Sequence, residues 1–367
     1  MKQVKTLSFA GQDIYCGIDV HKKDWSVCIR DDERELRSFS QPPQPAVLTD
    51  FLGRNYPHAN FHAVYEAGFC GYWIQQALSH QGIDCIVTHA ADVPTSDKDR
   101  RQKTDAVDCR KLAKELSEGS LKGIYIPSQQ IIEDRSLVRG REQLVQDQTR
   151  YKNRILSWLH FFGIIIPEGY KKSTHFSTRF ISWLEQLQLN ESTKLALQVK
   201  LGGLQCIRQQ LLLANRNLRK LALSDRYQKQ VELLRSIPGI GITNAMIFLT
   251  ELDNITRFET FDHLCSYAGL KPDIYSSSDT IIVKGITHRC NSLVRESLVE
   301  SAWKAVAKDP ALLMAYKQYK KRMNYNNAII RITKKLLSRI RYVLLHQTCY
   351  VTGVVGYNEF FRHQFLD

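Results

Sequence analysis

The chain has no CxxC pair, and its nine cysteines, at 16, 28, 70, 85, 109, 206, 265, 290 and 349, are odd in number. That excludes a complete disulfide framework and argues against a thiolate zinc site. Most of these cysteines fall inside apolar runs, where a free thiol packs as a small hydrophobe. Long hydrophobic runs are missing too. The longest, such as AMIFLTEL and FFGIIIP, fall far short of the ~20 residues that span a bilayer. The opening MKQVKTLSFAGQD lacks the apolar core of a signal peptide. A cytoplasmic protein without a membrane partner is therefore expected. There is no fixed-period repeat and no low-complexity tract.

What the sequence has in excess is positive charge. Lys and Arg number 51 against 37 Asp and Glu, a net charge of +14. Such a surplus favours polyanionic partners and fast, salt-sensitive association with them. Hydrophobic content of 43% and charged content of 24% are those of a soluble globular protein, and 367 residues suffice for two or three domains.

Three segments differ in pattern. Residues 1–127 alternate between strand-like and helix-like stretches. DIYCGIDV (13–20), WSVCIR (25–30) and ELRSFS (35–40) read as successive strands, followed by a helix over 44–56, a strand over 61–67, a helix over 71–82, a strand over 84–89 and a helix over 104–116. Three meandering strands and then helix-strand-helix-strand-helix is the element order of an RNase H-like α/β fold. Residues 128–230 carry long helical periodicity and read as a helical, partly coiled-coil linker and oligomerisation region. Residues 231–367 form a mainly α-helical third unit. It opens with SIPGIGITNAMIFLTEL and ends near the basic stretch AIIRITKKLLSRIRYVLL (328–345).

Four acids stand at informative places. Asp19 ends the first strand, Glu66 ends the fourth, and Asp105 and Asp108 share the start of the third helix, in KTDAVD. In an RNase H-like sheet the first and fourth strands are neighbours, which brings Asp19 and Glu66 side by side. Residues three apart on a helix share a face, so Asp105 and Asp108 can aim at the same spot. Clustered carboxylates repel unless a cation neutralises them. A hard divalent ion such as Mg²⁺ does so through oxygen ligands, and two such ions ~3.5–4 Å apart can polarise a phosphodiester. Singly, Asp105 is an ordinary helix-start charge and Glu66 an ordinary strand-end residue. Together, with Lys103 and Arg110 beside the helical pair, they form a set. His21, Lys22 and Lys23 follow Asp19 as a basic rim.

The segments GIDVHKKDWSVCI, VYEAGFCGYW and KTDAVDCRKLA resemble the RuvC-like domain of the DEDD-type insertion-sequence transposases, a family that includes the Piv DNA invertases. Asp19, Glu66, Asp105 and Asp108 match its four acids one by one. The resemblance implies that they hold Mg²⁺ near a scissile phosphate.

The Pro-Gly-Ile-Gly turn at 238–241 is shaped like a helix-hairpin-helix element. Its backbone N–H groups, with Gly239 and Gly241 at the turn, can face a phosphate and grip DNA or RNA without reading sequence. A lone turn of this kind also serves as an ordinary helix–helix connection. Downstream, FDHLCSYAGLKPDIYSSSDTIIVKGITHRCNSLVRESLVESAW (261–303) resembles the same family's C-terminal transposase domain. Ser277, five residues after Pro272, falls on the family serine, which is implied to attack the phosphodiester and form a phosphoserine link. The residue after it is Ser278 where the family usually has Gly, and Ser276 precedes it. Lys284, Asn291 and Arg295 are candidate phosphate or loop-ordering residues. Arg331, Lys334 and Lys335 lie on the last basic helix, where a solvated face is an equal alternative.

The expectation is a transposase, a DNA recombinase of an insertion sequence, with Mg²⁺ as cofactor and Ser277 as nucleophile. Donor and target DNA are its expected partners, with an element-encoded bridge RNA as guide and a homo-oligomer, dimer or tetramer, as the working form. Specificity would then come from base pairing while the protein holds shape. Two alternatives stay open: a RuvC-like two-metal nuclease or junction resolvase without a covalent intermediate, and a non-catalytic nucleic-acid-binding protein descended from a transposase.

Overall fold

The computed structural model describes residues 8–94, 105–170, 175–277, 280–287 and 289–353; the side chains of 105–106, 273–277, 280–284 and 286 lie outside the description. The chain divides into two compact units, Met1–Ile126 and Pro127–Asp367.

The first unit is built on a five-stranded mixed sheet. Its strands are β1 (Asp13–Val20), β2 (Trp25–Arg30), β3 (Glu35–Gln41), β4 (Asn60–Glu66) and β5 (Asp84–Thr88). They lie in the order β3-β2-β1-β4-β5, as the element order predicts. The β1–β2 and β2–β3 pairs are antiparallel, and β1–β4 and β4–β5 are parallel. The helices are α1 (Pro45–Asn55), α2 (Trp73–His80) and α3 (Asp105–Ser117).

Alternation along β1 assigns the two faces. Ile14, Cys16 and Ile18 are fully buried in a core with Leu48 and Leu52 of α1 and Ile74 and Leu78 of α2. The intervening positions, including Gly17, face α3. There Cys28 packs with Cys109 and Ala113, while Val64 packs with Leu112. A side chain at Gly17 would run into the backbone of α3, so glycine lets the helix lie directly on the strand.

The second unit is mostly helical. Two long helices, α4 (Gln129–Phe161) and α6 (Glu191–Ala222), run antiparallel: Arg141 Nε donates to Asn215 Oδ1 at 3.1 Å, and farther along Tyr151 lies against Gly203. The short α5 (Thr178–Glu185) closes one end, placing Phe180 and Leu184 with Ile155, Leu159, Leu197 and Leu204. At the other end Val138 and Leu218 join a larger core with α7 (Gln228–Arg235), α8 (Ile242–Leu252), α10 (Ser292–Lys308) and α12 (Tyr325–His346). Helix α9 (Phe261–Tyr267) precedes a hairpin of β6 (Pro272–Ser277) and β7 (Thr280–Ile286), and α11 (Pro310–Lys320) joins α10 to α12. No helix among the described residues is long and apolar enough to cross a membrane.

Candidate active site

The last paired residues of β1 and β4 are Ile18 and Tyr65. Asp19 and Glu66 each come one residue later, so two carboxylate residues leave neighbouring parallel strands at the same edge of the sheet. Both also fall on the α3 face, because each stands two positions beyond a residue that packs there, Gly17 for Asp19 and Val64 for Glu66. Asp19 is partly buried and accepts from the His21 ring, Nε2 to Oδ2 at 3.1 Å; Glu66 is exposed.

Asp105 opens α3 and Asp108 lies one turn before the buried Leu112. The Asp19 charge reaches this helix. Burial pushes the Cys109 thiol up to about 11, hydrogen bonding to Ser38 and the Arg110 charge act against that, and the negative charge of Asp19 adds to it. Arg110 Nε donates to Glu35 of β3 at 3.1 Å. Among the described residues no three His, Cys, Asp or Glu side chains close on one point that could hold a metal ion, and the Asp105 side chain is not among those described. Asp19, Glu66 and Asp108 each offer only carboxylate oxygens, the donor type that a hard divalent cation takes. Lys103 lies outside the described residues.

Two loops rim these acids. Lys22, after β1, sets its ammonium 5.9 Å from the centroid of the Phe69 ring, three residues beyond Glu66. Phe69 is 65% exposed, an aromatic face that strand and helix patterning had no means of revealing.

In the second unit Ser277 is the final residue of β6 and pairs with Thr280 of β7. The sequence reading assigns no strands here; the alternation of IYSSSDTIIV is short and broken by three serines. Ser278 lies outside the described residues, as do the side chains of Ser276, Ser277 and Lys284. The base of the hairpin is held firmly. Thr287 N–H donates to Lys271 O at 3.1 Å, and Arg295 Nη1 donates to Thr287 O at 3.0 Å. Asn291 caps α10 by accepting from Val294 N–H, while its Nδ2 donates to Tyr267 Oη at 3.1 Å and to Glu251 Oε2 at 2.8 Å. Asn291 and Arg295 therefore order the loop through partners inside the protein.

Glu251 is the hub of this base. Its side chain is fully buried and takes a two-pronged contact from Arg139 of α4, Nε at 2.7 Å and Nη2 at 2.9 Å. Arg135 Nε lies 3.7 Å from the same carboxylate, and Tyr267 Oη donates to the Glu251 carbonyl at 2.9 Å. Sequence reading passes over Glu251, because a glutamate in a helix looks like a solvated residue until its partners are known.

A model described as the IS110 DEDD transposase matches residues 16–164, and one described as the transposase IS116/IS110/IS902 family matches 231–318. The chain belongs to the IS110 family of DEDD transposases. It is an enzyme acting on DNA. It is 26% identical to y4qE of Sinorhizobium fredii, a protein named as a transposase, over 299 residues, 80% of this chain and 72% of that one. It is 25% identical to the transposase for insertion sequence element IS1533 of Leptospira borgpetersenii, covering 69% of this chain and 75% of that one. The transposase for IS1111A of Coxiella burnetii is 24% identical over 55% of each chain.

In this transposase the Pro-Gly-Ile-Gly turn joins α7 to α8. Gly239 has φ +94°, and a Cβ there would strike the backbone of α10 at Ser301 and Ala305. Packing alone thus requires glycine at 239. Gly241 is exposed with open space around it and precedes the first residue of α8. On α12, Lys334 sits half-buried with its ammonium 6.0 Å from the Phe261 ring centroid, whereas Arg331 is exposed. Burial, reinforced by the nearby Arg339 charge, lowers the Lys335 pKa.

Proposed function

We propose that this insertion-sequence transposase cuts and rejoins DNA through Ser277, assisted by a divalent-metal site formed by Asp19, Glu66, Asp105 and Asp108. The observation that carries the reading is the arrangement of the first unit: two acids at the ends of adjacent parallel strands, on the face covered by a helix whose first turn bears two more. DEDD-type nucleases generally use divalent metals; in this reading the ion is Mg²⁺, which would neutralise charge on the phosphate and make its phosphorus more electrophilic.

The protein's own residues divide the remaining work. Ser277 Oγ forms a bond to phosphorus as the bond to one DNA strand breaks. That strand leaves as a free hydroxyl and takes up a proton, while the serine gives one up. A strand hydroxyl later attacks the phosphoserine and restores the serine, so the phosphodiester count is conserved. The acids belong to the first unit and Ser277 to the second, so the reaction draws on both. The net charge of +14 supports binding of polyanions, and we assign target choice to a bridge RNA whose base pairing supplies sequence while the protein holds backbone. Gly241 at the start of α8, Lys284 and Lys334 are the proposed backbone contacts, and the chain acts as a homo-oligomer.

The test is a trapping assay. Purified protein, Mg²⁺, end-labelled DNA of the element junction and RNA transcribed from its flanking non-coding end are mixed, denatured and run on a gel. A labelled protein–DNA adduct that disappears in Ser277→Ala and in Asp19→Ala is the expected result. Free nicked DNA that persists in Ser277→Ala would replace this reading with a water-using two-metal nuclease.

A further inference from the structure

On the loop between β4 and α2, Ala67, Cys70 and Tyr72 pack against the core of the first unit, while Phe69 between them stands in solvent. The loop itself is tied down. Ala67 N–H donates to Thr88 O at 2.7 Å and Gly71 N–H to Gly68 O at 3.2 Å. The fully buried Tyr65 donates its hydroxyl to Gly71 O at 2.9 Å and accepts from Gln75 N–H at 3.3 Å. Gly71 has φ +59°, a turn that glycine enters without strain. The ring is thus presented by backbone that is already ordered, so a ligand stacking on it does not bear the cost of fixing the loop.

The surroundings of the ring narrow the choice of ligand. Lys22 and Phe69 each stand three residues beyond an acid, Asp19 and Glu66, at the one edge of the sheet where both acids leave β1 and β4. The Lys22 ammonium, 5.9 Å from the ring centroid, joins the two loops, and His21 and Lys23 on either side of it are exposed. An aromatic face bordered by cations fits a nucleotide: the base stacks on the ring and the ammonium meets a phosphate. One ring among charged side chains is too small an apolar area to dock a protein partner. The bases of a duplex stack on one another and offer only their edges in the grooves, so a base that lies on this ring has to be unpaired. A transposase creates such bases, because passing a strand from one duplex to another unpairs it.

We propose that Phe69 is a stacking platform for one unpaired nucleobase of the DNA strand held at the acid edge, with Lys22 contacting that strand's phosphate. The inference rests on the reading of the acids as the place of DNA cleavage and adds how the strand is seated there.

The test is photo-cross-linking of the full-length protein without metal. The probe is a single-stranded oligothymidylate in which one base is iodouracil, which on irradiation joins to an aromatic ring stacked on it. Peptide mass spectrometry should find the adduct on Phe69; Phe69→Tyr should keep it and Phe69→Leu should remove it. Adducts confined to other residues would overturn the platform. The same base in a fully paired duplex should give at most about a tenth of the adduct. Equal yield from the duplex would overturn the requirement for an unpaired base, and a uridylate probe that cross-links where the thymidylate does not would overturn the assignment to DNA. Affinity gives the second readout. Phe69→Ala should bind the oligothymidylate about 10-fold more weakly, the effect of one lost base–aromatic stack, and should bind an abasic oligomer of equal length as well as the parent does. An equal loss for both oligomers would make Phe69 a support of the loop instead. Neither measurement involves Ser277 or a metal ion. Protein that cross-links at Phe69 but fails the trapping assay keeps the platform and loses the serine and acid reading; protein that passes the trapping assay without a cross-link at Phe69 loses the platform alone.

Discussion

Gly17, in the middle of β1, lies directly under Cys109 of α3: a Cβ on Gly17 would stand 2.1 Å from the Cys109 carbonyl oxygen and 2.4 Å from the Ala113 amide nitrogen. The closeness of helix to strand brings Asp108, next to Cys109, to the sheet face from which Asp19 emerges. Gly17→Ala should push α3 off the sheet. We expect a loss of about 1–3 kcal/mol in the stability of the first unit, typical of overpacking in a rigid interior, and, if the proposed acid site does the work, a larger proportional loss of DNA cleavage. Thermal unfolding beside a cleavage assay checks both; an unchanged melting temperature would show that the contact yields easily.

Glu251 ties α4 to the base of the Ser277 hairpin, through Arg139 on one side and Asn291 on the other. Glu251→Gln keeps the shape but removes the charge from a buried site facing two arginines. Breaking a buried pair from one side costs about 3–5 kcal/mol; exposure of roughly half the Arg139 side chain places this case at the lower end. The midpoint of urea unfolding should fall accordingly, and replacing Arg139 by Met in the same chain should recover part of the loss.

The two glycines of the Pro-Gly-Ile-Gly turn should separate packing from binding. Gly239→Ala meets Ser301 O at 2.4 Å and strains a φ of +94°, so the second unit should be destabilised by more than about 1 kcal/mol. Gly241→Ala meets nothing within 4 Å and should leave the melting temperature unchanged. If the turn grips nucleic-acid backbone, Gly241→Ala weakens DNA binding in a filter-retention assay without touching the fold; equal binding by the two proteins would reduce the turn to a helix connection.

Thiol reactivity should follow burial. Loss of water raises Cys28 and Cys85 to about 12, and Cys265 to about 11. At pH 8 iodoacetamide should label the exposed Cys206 and Cys349 first and spare these three, as read by peptide mass spectrometry. The sign for stability follows. Folding raises these values, so the contribution is complete below the ordinary thiol pKa and is lost as pH rises through about 11–12. Unfolding midpoints should therefore fall on the alkaline side and not near neutrality.

The amino-acid sequence by itself determined the order of elements in the first unit and the placing of its acids. Alternation in DIYCGIDV and WSVCIR marks β1 and β2 at their observed bounds, and it puts Asp19 and Glu66 at strand ends, because a period of two is local and survives without knowledge of neighbours. Only the tertiary structure decided what meets those elements. The need for glycine at 17 depends on a helix some 90 residues downstream, and the role of Glu251 on arginines 112 and 116 residues upstream of it. The β6–β7 hairpin is formed by pairing that three serines do not announce. On α6, packing buries Leu197, Leu204 and Leu218 and leaves Leu195, Val199 and Leu213 in solvent, since a side chain's burial is settled by what lies across from it and not by its own hydrophobicity.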